Sequence, residues 1–163
     1  MIKEIVAQFA QHTSKGVEIN LKALAKNEEF RQEVIKAVLK RVAESPKACV
    51  VIPSYQPGAP ENQLGKLINE LALNLQVKAL VTGDVANIKG LSIRPEEVII
   101  IKQSFRVGKR LQDQIEDLKA MGVKKVKVLC FIAHNSGRMQ GYGHENDVEI
   151  DALVKIDEIR YLE

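Results

Sequence analysis

The segment 102–110, KQSFRVGKR, combines side chains suited to binding an anion and directly follows an apolar run. Arg106, Lys109 and Arg110 add positive charge near the hydroxyl of Ser104 in the sequence. Gly108 lets the backbone approach a ligand closely, and the amide groups that open a following helix favour an anion. The pattern predicts a phosphate site, and a basic, solvated turn is the alternative. The segment is not a Walker A loop, which requires a further glycine and a Ser or Thr after the lysine.

Two further polar segments follow apolar runs. The segment 53–60, PSYQPGAP, is stiffened by its prolines and offers the hydroxyl groups of Ser54 and Tyr55; a rigid surface loop is its alternative interpretation. In 134–144, HNSGRMQGYGH, Arg138 has the geometry to bind a carboxylate through two parallel hydrogen bonds. A solvated arginine is the alternative there. Because no carboxylate or cysteine stands at ligand spacing from the two histidines of this segment, we expect no metal site.

Motifs for covalent chemistry are missing from the sequence. It contains no G-x-S-x-G, H-E-x-x-H or C-x-x-C pattern. The polar segments therefore favour anion binding over nucleophilic catalysis.

The elements that must position these segments can be read from the apolar pattern. Helical spacing predicts a short helix over 2–9 and a helix that begins after Asn27 and closes at Pro46. Between them, alternation of apolar and polar residues over 17–22 predicts a half-buried strand or extended segment. Strands are predicted at four mainly apolar runs, 48–52, 77–81, 98–101 and 126–133. A helix is predicted between the first and second runs and between the third and fourth, a turn-rich connection over 82–95 joins the second to the third, and a final strand lies within 148–159. Strands alternating with helices indicate a largely parallel α/β sheet. Ligands of such sheets bind beyond the carboxyl ends of the strands, where 53–60, 82–90, 102–110 and 134–146 would form loops.

The composition is that of a globular chain. Its 163 residues fit one domain, 1–163, with 45% apolar and 28% charged residues. A net charge of +3 argues against a dedicated nucleic-acid binder. No apolar run approaches the ~20 residues of a membrane span, and we expect no signal peptide. Cys49 and Cys130 lie in or beside apolar runs, which predicts buried, reduced thiols and a cytoplasmic location.

Taken together, these segments resemble a known family. VEINLKAL at 17–24, followed by NEEF at 27–30, resembles the segment that opens orotate phosphoribosyltransferases. The run 48–75 resembles the family's strand, pyrophosphate loop and helix, and 98–132 resembles its signature for phosphoribosyl pyrophosphate (PRPP). The resemblance covers about residues 1–160. It implies a type I phosphoribosyltransferase fold: a mainly parallel, twisted sheet flanked by helices, with a short N-terminal helix and extended segment.

The resemblance also implies roles for individual residues. In the family, two acidic residues bind the ribose hydroxyls of PRPP and a Thr- and Gly-rich loop binds its 5′-phosphate. Lys102 and Gln103 stand at the acidic positions, and only Gly108 of the loop is retained. Arg138 matches the arginine that contacts the orotate carboxylate, although the aspartate before it is missing. The residues assigned to the pyrophosphate loop are Ser54, Tyr55, Gln56, Pro57 and Gly58, and those assigned to PRPP or phosphate are Lys102, Gln103, Ser104, Arg106, Gly108, Lys109 and Arg110.

The altered PRPP motif is predicted to bind ribose more weakly. A hydrogen bond to a charged group contributes roughly 1.5–3 kcal/mol, so losing two weakens ribose recognition by roughly 10²–10⁴-fold. The family's catalytic loop is also short here, with Lys89 and Gly90 but no histidine in 82–95.

Three functions stay open at this point, and with them the question whether the protein is an enzyme. The first is a module that binds a small phosphorylated metabolite or nucleotide without efficient transfer. The second is an active orotate phosphoribosyltransferase, which would use Mg²⁺ with PRPP; otherwise no cofactor is expected. The third is a structural or partner-binding protein. The resemblance implies a homodimer under all three.

Overall fold

The computed structural model describes residues 2–14, 16–52, 65–76, 80–82, 85–90, 95–105 and 108–159. A 3-10 helix, Val85–Gly90, lies between the fourth and fifth strands. The other elements, in chain order, are α1 Ile2–Ala7, β1 Ala10–Thr13, β2 Gly16–Ile19, α2 Leu21–Ala25, α3 Glu28–Ala43, β3 Cys49–Val51, α4 Gly65–Gln76, β4 Leu80–Thr82, β5 Glu97–Ser104, α5 Lys109–Ala120, β6 Lys125–Ala133, α6 Ser136–Glu145, β7 Glu149–Lys155 and α7 Ile156–Ile159.

Within these ranges the strands form two sheets. The larger has the order β4-β3-β5-β6-β7, and every neighbouring pair in it is parallel. The smaller is the antiparallel pair β1-β2. Gly16, the first residue of β2, has a φ of 113°. The predicted mainly parallel α/β sheet, with its short N-terminal helix and extended segment, is confirmed.

The two faces of the large sheet bury separate cores. Ile99 and Ile101 of β5 pack in the core that includes side chains of α1, α3 and α4. Val98 and Ile100 pack on the opposite face, in the core that includes side chains of α5 and α6. Because side chains alternate along a strand, Lys102 continues the α5 face of β5.

The segment 134–146 was expected to be a loop, and this is wrong: most of it forms α6. The Asn135 side chain caps the helix, with its Oδ1 accepting from the backbone N–H of Arg138 at 2.9 Å. Met139 and Tyr142, spaced by three residues, are buried on the inner face. A Cβ on Gly143 would lie 2.8 Å from the Val148 carbonyl oxygen, so this glycine allows α6 to approach the chain that enters β7. Tertiary packing thus outweighs the low helix propensity of glycine.

Strand β5 is longer than predicted. The expected loop begins at Lys102, but the strand continues to Ser104 because β6 pairs with it, Lys102 opposite Cys130 and Ser104 opposite Ile132. Smaller differences occur elsewhere. The chain around His12 forms β1, Leu21 opens α2, and the final strand ends at Lys155 before α7.

Several local predictions are confirmed. Asn27 caps α3 by accepting from the N–H of Phe30 at 2.8 Å. Gly122 follows α5 with a φ of +87°, the left-handed conformation that favours glycine. Cys49 and Cys130 are free, buried thiols. Among the helices of the described ranges, none is long and apolar enough to cross a membrane.

Candidate anion site

A cavity of about 200 Å³ lies at the carboxyl end of β5, where the chain passes into α5. Four of the residues predicted to bind phosphate line it, together with an aromatic and an aliphatic side chain. The lining residues are Lys102, Ser104, Phe105, Gly108, Arg110 and Leu111. The fold therefore brings a lysine, an arginine and a hydroxyl group to one concave surface.

Lys102 is the partly buried cation of this cavity. Its strand position is held by β6, and its Nζ donates to Oε1 of Gln114 on α5 at 2.8 Å. Burial, and next the nearby charge of Arg110, lower the pKa of Lys102, while Cys130 acts in the opposite direction. A bound anion would offset both the burial and the repulsion.

The start of α5 adds further positive character. Its N-cap is Gly108, so the cap residue brings no side chain to the first amide groups of the helix. No described atom lies within 4 Å of the place a Cβ on Gly108 would take. Lys109 and Arg110 are exposed in the first turn, where cations oppose the helix dipole at about 0.3–1 kcal/mol each. A bound anion would offset this unfavourable interaction between the two cations and the helix dipole.

The remaining predicted residues lie in different places. Lys109 lines a neighbouring groove with Arg110, next to carboxylates of α5. Gln103 follows Lys102 in the strand, so its side chain points to the opposite face. Arg106 and the predicted pyrophosphate loop, 54–58, lie outside the described residues. Arg138 is exposed in the first turn of α6 and is not among the described residues that line the cavity.

The sequence interpretation missed the side chains that support the cavity. Phe105 packs edge-on against Tyr142 of α6, with ring centroids 5.8 Å apart at 64°. The hydroxyl of Tyr142 donates to Oε1 of Gln112 on α5 at 3.0 Å, so α5, α6 and the cavity wall form one packed unit. One signal was available for Gln114: it lies three residues after Leu111, beside the apolar stripe that faces the sheet.

The residues present do not fit a resident Mg²⁺ ion. Mg²⁺ is held in proteins by carboxylates together with substrate phosphates. Of the described residues that line the cavity, none is a carboxylate and two are cations, Lys102 and Arg110. Across the described ranges, no group of three or more His, Cys, Asp or Glu side chains could hold a metal. We therefore derive no step through a metal ion.

The site also lacks an activated thiol nucleophile. Cys130 lies opposite Lys102 in the sheet, but burial raises the pKa of its thiol to about 12. A thiol of this pKa stays protonated at neutral pH and is a poor nucleophile.

Together the sheet order and the flanking helices define the α/β fold of type I phosphoribosyltransferases. Orotate phosphoribosyltransferase from Aeropyrum pernix matches 98% of this chain at a TM-score of 0.59 and 15% identity, with 96% of that chain covered. UMP synthase from Leishmania donovani matches 97% at 0.60 and 13% identity, with 36% of that chain covered. Adenine phosphoribosyltransferase from Leishmania donovani matches 96% at 0.58 and 9% identity, with 80% covered.

The sequence itself matches no protein-family model and no curated protein. At identities of 9–15% the structural likeness shows the fold alone, and a fold of this kind hosts many functions.

Proposed function

We propose that this protein is a phosphoribosyltransferase-like module that binds a phosphorylated metabolite or nucleotide without efficient phosphoribosyl transfer. The observation that carries the proposal is Lys102, a partly buried cation held by Gln114 at the wall of the cavity. An ammonium group can only donate hydrogen bonds. It therefore suits phosphate oxygens and cannot accept from ribose hydroxyl groups, as the family's acidic residues do.

Each part of the cavity has a role in this proposal. The ammonium of Lys102 and the guanidinium of Arg110 donate charge-assisted hydrogen bonds to phosphate oxygens. Ser104 supplies a hydroxyl donor, and the first amides of α5 supply backbone donors. The volume of about 200 Å³ is below the roughly 300–1,000 Å³ of pockets for drug-sized ligands. The cavity thus accommodates the phosphate end of a ligand, with the rest extending outward.

The altered motif is the reason to expect slow or no transfer. Phosphoribosyl transfer depends on positioning and electrostatic stabilisation of the reacting ribose. With Lys102 and Gln103 in place of the acidic pair, ribose recognition is weakened by roughly 10²–10⁴-fold.

The second candidate function is active orotate phosphoribosyl transfer. It is favoured by Arg138, which lies exposed in the first turn of α6, after a strand of the sheet, and which the family resemblance assigns to the orotate carboxylate. The similar fold of the Aeropyrum pernix orotate enzyme is consistent with it.

Calorimetry combined with a product assay separates the two candidates. Ribose 5-phosphate, uridine monophosphate and PRPP are titrated into the protein, and orotate with Mg²⁺ is then added to the PRPP sample while pyrophosphate is assayed. The proposal expects binding of at least one phosphorylated compound without orotate-dependent pyrophosphate release. Sustained pyrophosphate release would establish the transferase instead, and no binding at millimolar concentration would refute both candidates.

Two matched lysine variants test whether the phosphorylated ligand binds in the cavity. Lys102→Met removes the cavity ammonium. Lys124→Met removes an exposed lysine at the other end of the sheet, where its Nζ lies 3.7 Å from Glu96. The proposal expects only the first variant to lose affinity.

A further inference from the structure

We propose that the cavity binds its phosphate without a divalent cation, because the ammonium of Lys102 supplies, as a permanent part of the protein, the counter-charge that a metal would otherwise bring. This inference rests on the proposed function and concerns the same cavity.

The position of the ammonium supports this role. The backbone of Lys102 is fixed in β5 by its pairing with Cys130 of β6. The side chain reaches across to α5 and donates to Oε1 of Gln114 at 2.8 Å. A neutral amide oxygen uses one of the three ammonium protons. Among the described residues Gln114 is the hydrogen-bond acceptor of Lys102, and the ammonium has two further protons that can be donated to a ligand.

The charges around the cavity oppose a metal at this position. Lys102 and Arg110 both line it, and they repel each other strongly enough that Arg110 contributes to lowering the pKa of Lys102. A divalent ion would add a third cation to this pair without a carboxylate among the described lining residues to offset it. A phosphate oxygen placed between the two side chains satisfies both.

Lys102 and Gln114 also form a small structural unit that positions the ligand. Gln114 also lines the neighbouring groove, together with Arg110 and Lys109. Because Arg110 borders both the cavity and this groove, a phosphate in the cavity can extend its attached group towards the groove. We therefore infer a phosphate monoester as the ligand class, with the ester substituent outside the 200 Å³ cavity.

The test titrates ribose 5-phosphate into the full chain, once with excess EDTA and once with millimolar MgCl₂. A sugar phosphate is the suitable probe because, as a monoester, it chelates Mg²⁺ far less than a pyrophosphate does. We expect dissociation constants that agree within about threefold, well under the tenfold that corresponds to 1.4 kcal/mol. In both buffers Lys102→Met should weaken binding by about 10–150-fold, the loss of one charged hydrogen bond, whereas Lys124→Met should not.

The possible results separate the inference from the proposed function. Wild-type binding that improves tenfold or more (about 1.4 kcal/mol) with MgCl₂ overturns the inference and leaves phosphate binding intact. Unchanged affinity in Lys102→Met also overturns it, because the ammonium would then contribute nothing. No binding in either buffer overturns the inference and counts against the proposed function as well. The comparison of the two buffers uses only wild-type protein, so it does not depend on the variants folding.

Discussion

Replacing Lys102 with methionine is expected to stabilise the ligand-free protein while it weakens phosphate binding. Methionine keeps the unbranched chain that passes between β5 and α5 and removes only the charged end. In the folded protein burial and Arg110 disfavour the ammonium, as the lowered pKa of Lys102 shows. Removing the charge removes that unfavourable contribution, and the hydrogen bond to Gln114 is lost in exchange.

Proton linkage gives the sign of the contribution that the Lys102 charge makes to the free energy of unfolding. Because the folded-state pKa of Lys102 lies below its ordinary value of 10.5, the folded chain binds fewer protons than the unfolded chain between these two values. The free energy of unfolding therefore rises with pH in that alkaline window, and the unfavourable contribution is fully present below the lowered pKa. At any pH below the lowered pKa the substitution thus removes the whole of this unfavourable contribution.

We expect a gain of about 0.5–2 kcal/mol in the free energy of unfolding, the range commonly found for single stabilising substitutions. For a chain of this size each kcal/mol raises Tm by about 2–4 °C. Thermal and urea unfolding followed by circular dichroism measure the change, with Lys124→Met as the control for a lysine on the exposed surface.

Gln114→Leu provides the complementary test. It removes the acceptor and leaves the ammonium buried beside an apolar group, so it should destabilise the protein by roughly 1–3 kcal/mol. The reasoning is refuted if Lys102→Met is as destabilising as Gln114→Leu and leaves phosphate affinity unchanged, because Lys102 would then be a structural residue.

Three further predictions concern the cavity and the helices beside it. Affinity for ribose 5-phosphate should fall as pH rises through the lowered pKa of Lys102, and calorimetry from neutral to alkaline pH should show a weaker dependence in Lys102→Met. Arg110→Ala should weaken binding by about tenfold or more, whereas Lys109→Ala, outside the cavity, should cost less in the same titrations. Gly143→Ala should destabilise the fold by about 1–3 kcal/mol, because its Cβ would meet a backbone oxygen at 2.8 Å. Gly141→Ala, in open space on the same helix, should be neutral or stabilising in thermal unfolding, and equal effects of the two changes would contradict the packing argument.

Much of the fold follows from local patterns in the sequence. Runs such as 98–101 and 128–133 are apolar throughout because a parallel strand is covered on both faces. Asn27 and Gly122 mark helix ends by chemistry confined to a few neighbouring residues. These features need no knowledge of distant contacts.

The errors occur where distant contacts decide the local structure. Helix α6 contains three glycines, and it is stabilised by burial of Met139 and Tyr142 against other elements. The last residues of β5 are polar, and only their pairing with β6 extends the strand to Ser104. No sequence pattern within α6 or at the end of β5 indicates these distant contacts.

In the candidate site, too, some features follow from the sequence and others depend on distant contacts. The rule that ligands bind beyond the carboxyl ends of parallel strands points to the segment after β5, and the structure has a cavity at that place. The contact between Lys102 and Gln114 joins a strand to a helix twelve residues later; the position of Gln114 beside the apolar stripe places it near the sheet, but the sequence does not identify Lys102 as its partner. Arg138 was assigned to a substrate carboxylate from its guanidinium group and from the family resemblance, and this role stays a prediction.

The most direct test of phosphate binding without transfer is one calorimetric experiment on PRPP. PRPP is titrated into wild-type and Lys102→Met protein, and orotate with Mg²⁺ is then added while pyrophosphate is assayed. The proposal predicts binding by the wild-type protein, weaker binding by the variant, and no orotate-dependent pyrophosphate from either. Steady pyrophosphate release by the wild-type protein would contradict it, and would show that a phosphoribosyltransferase can function with Lys102 and Gln103 at the positions of its acidic pair.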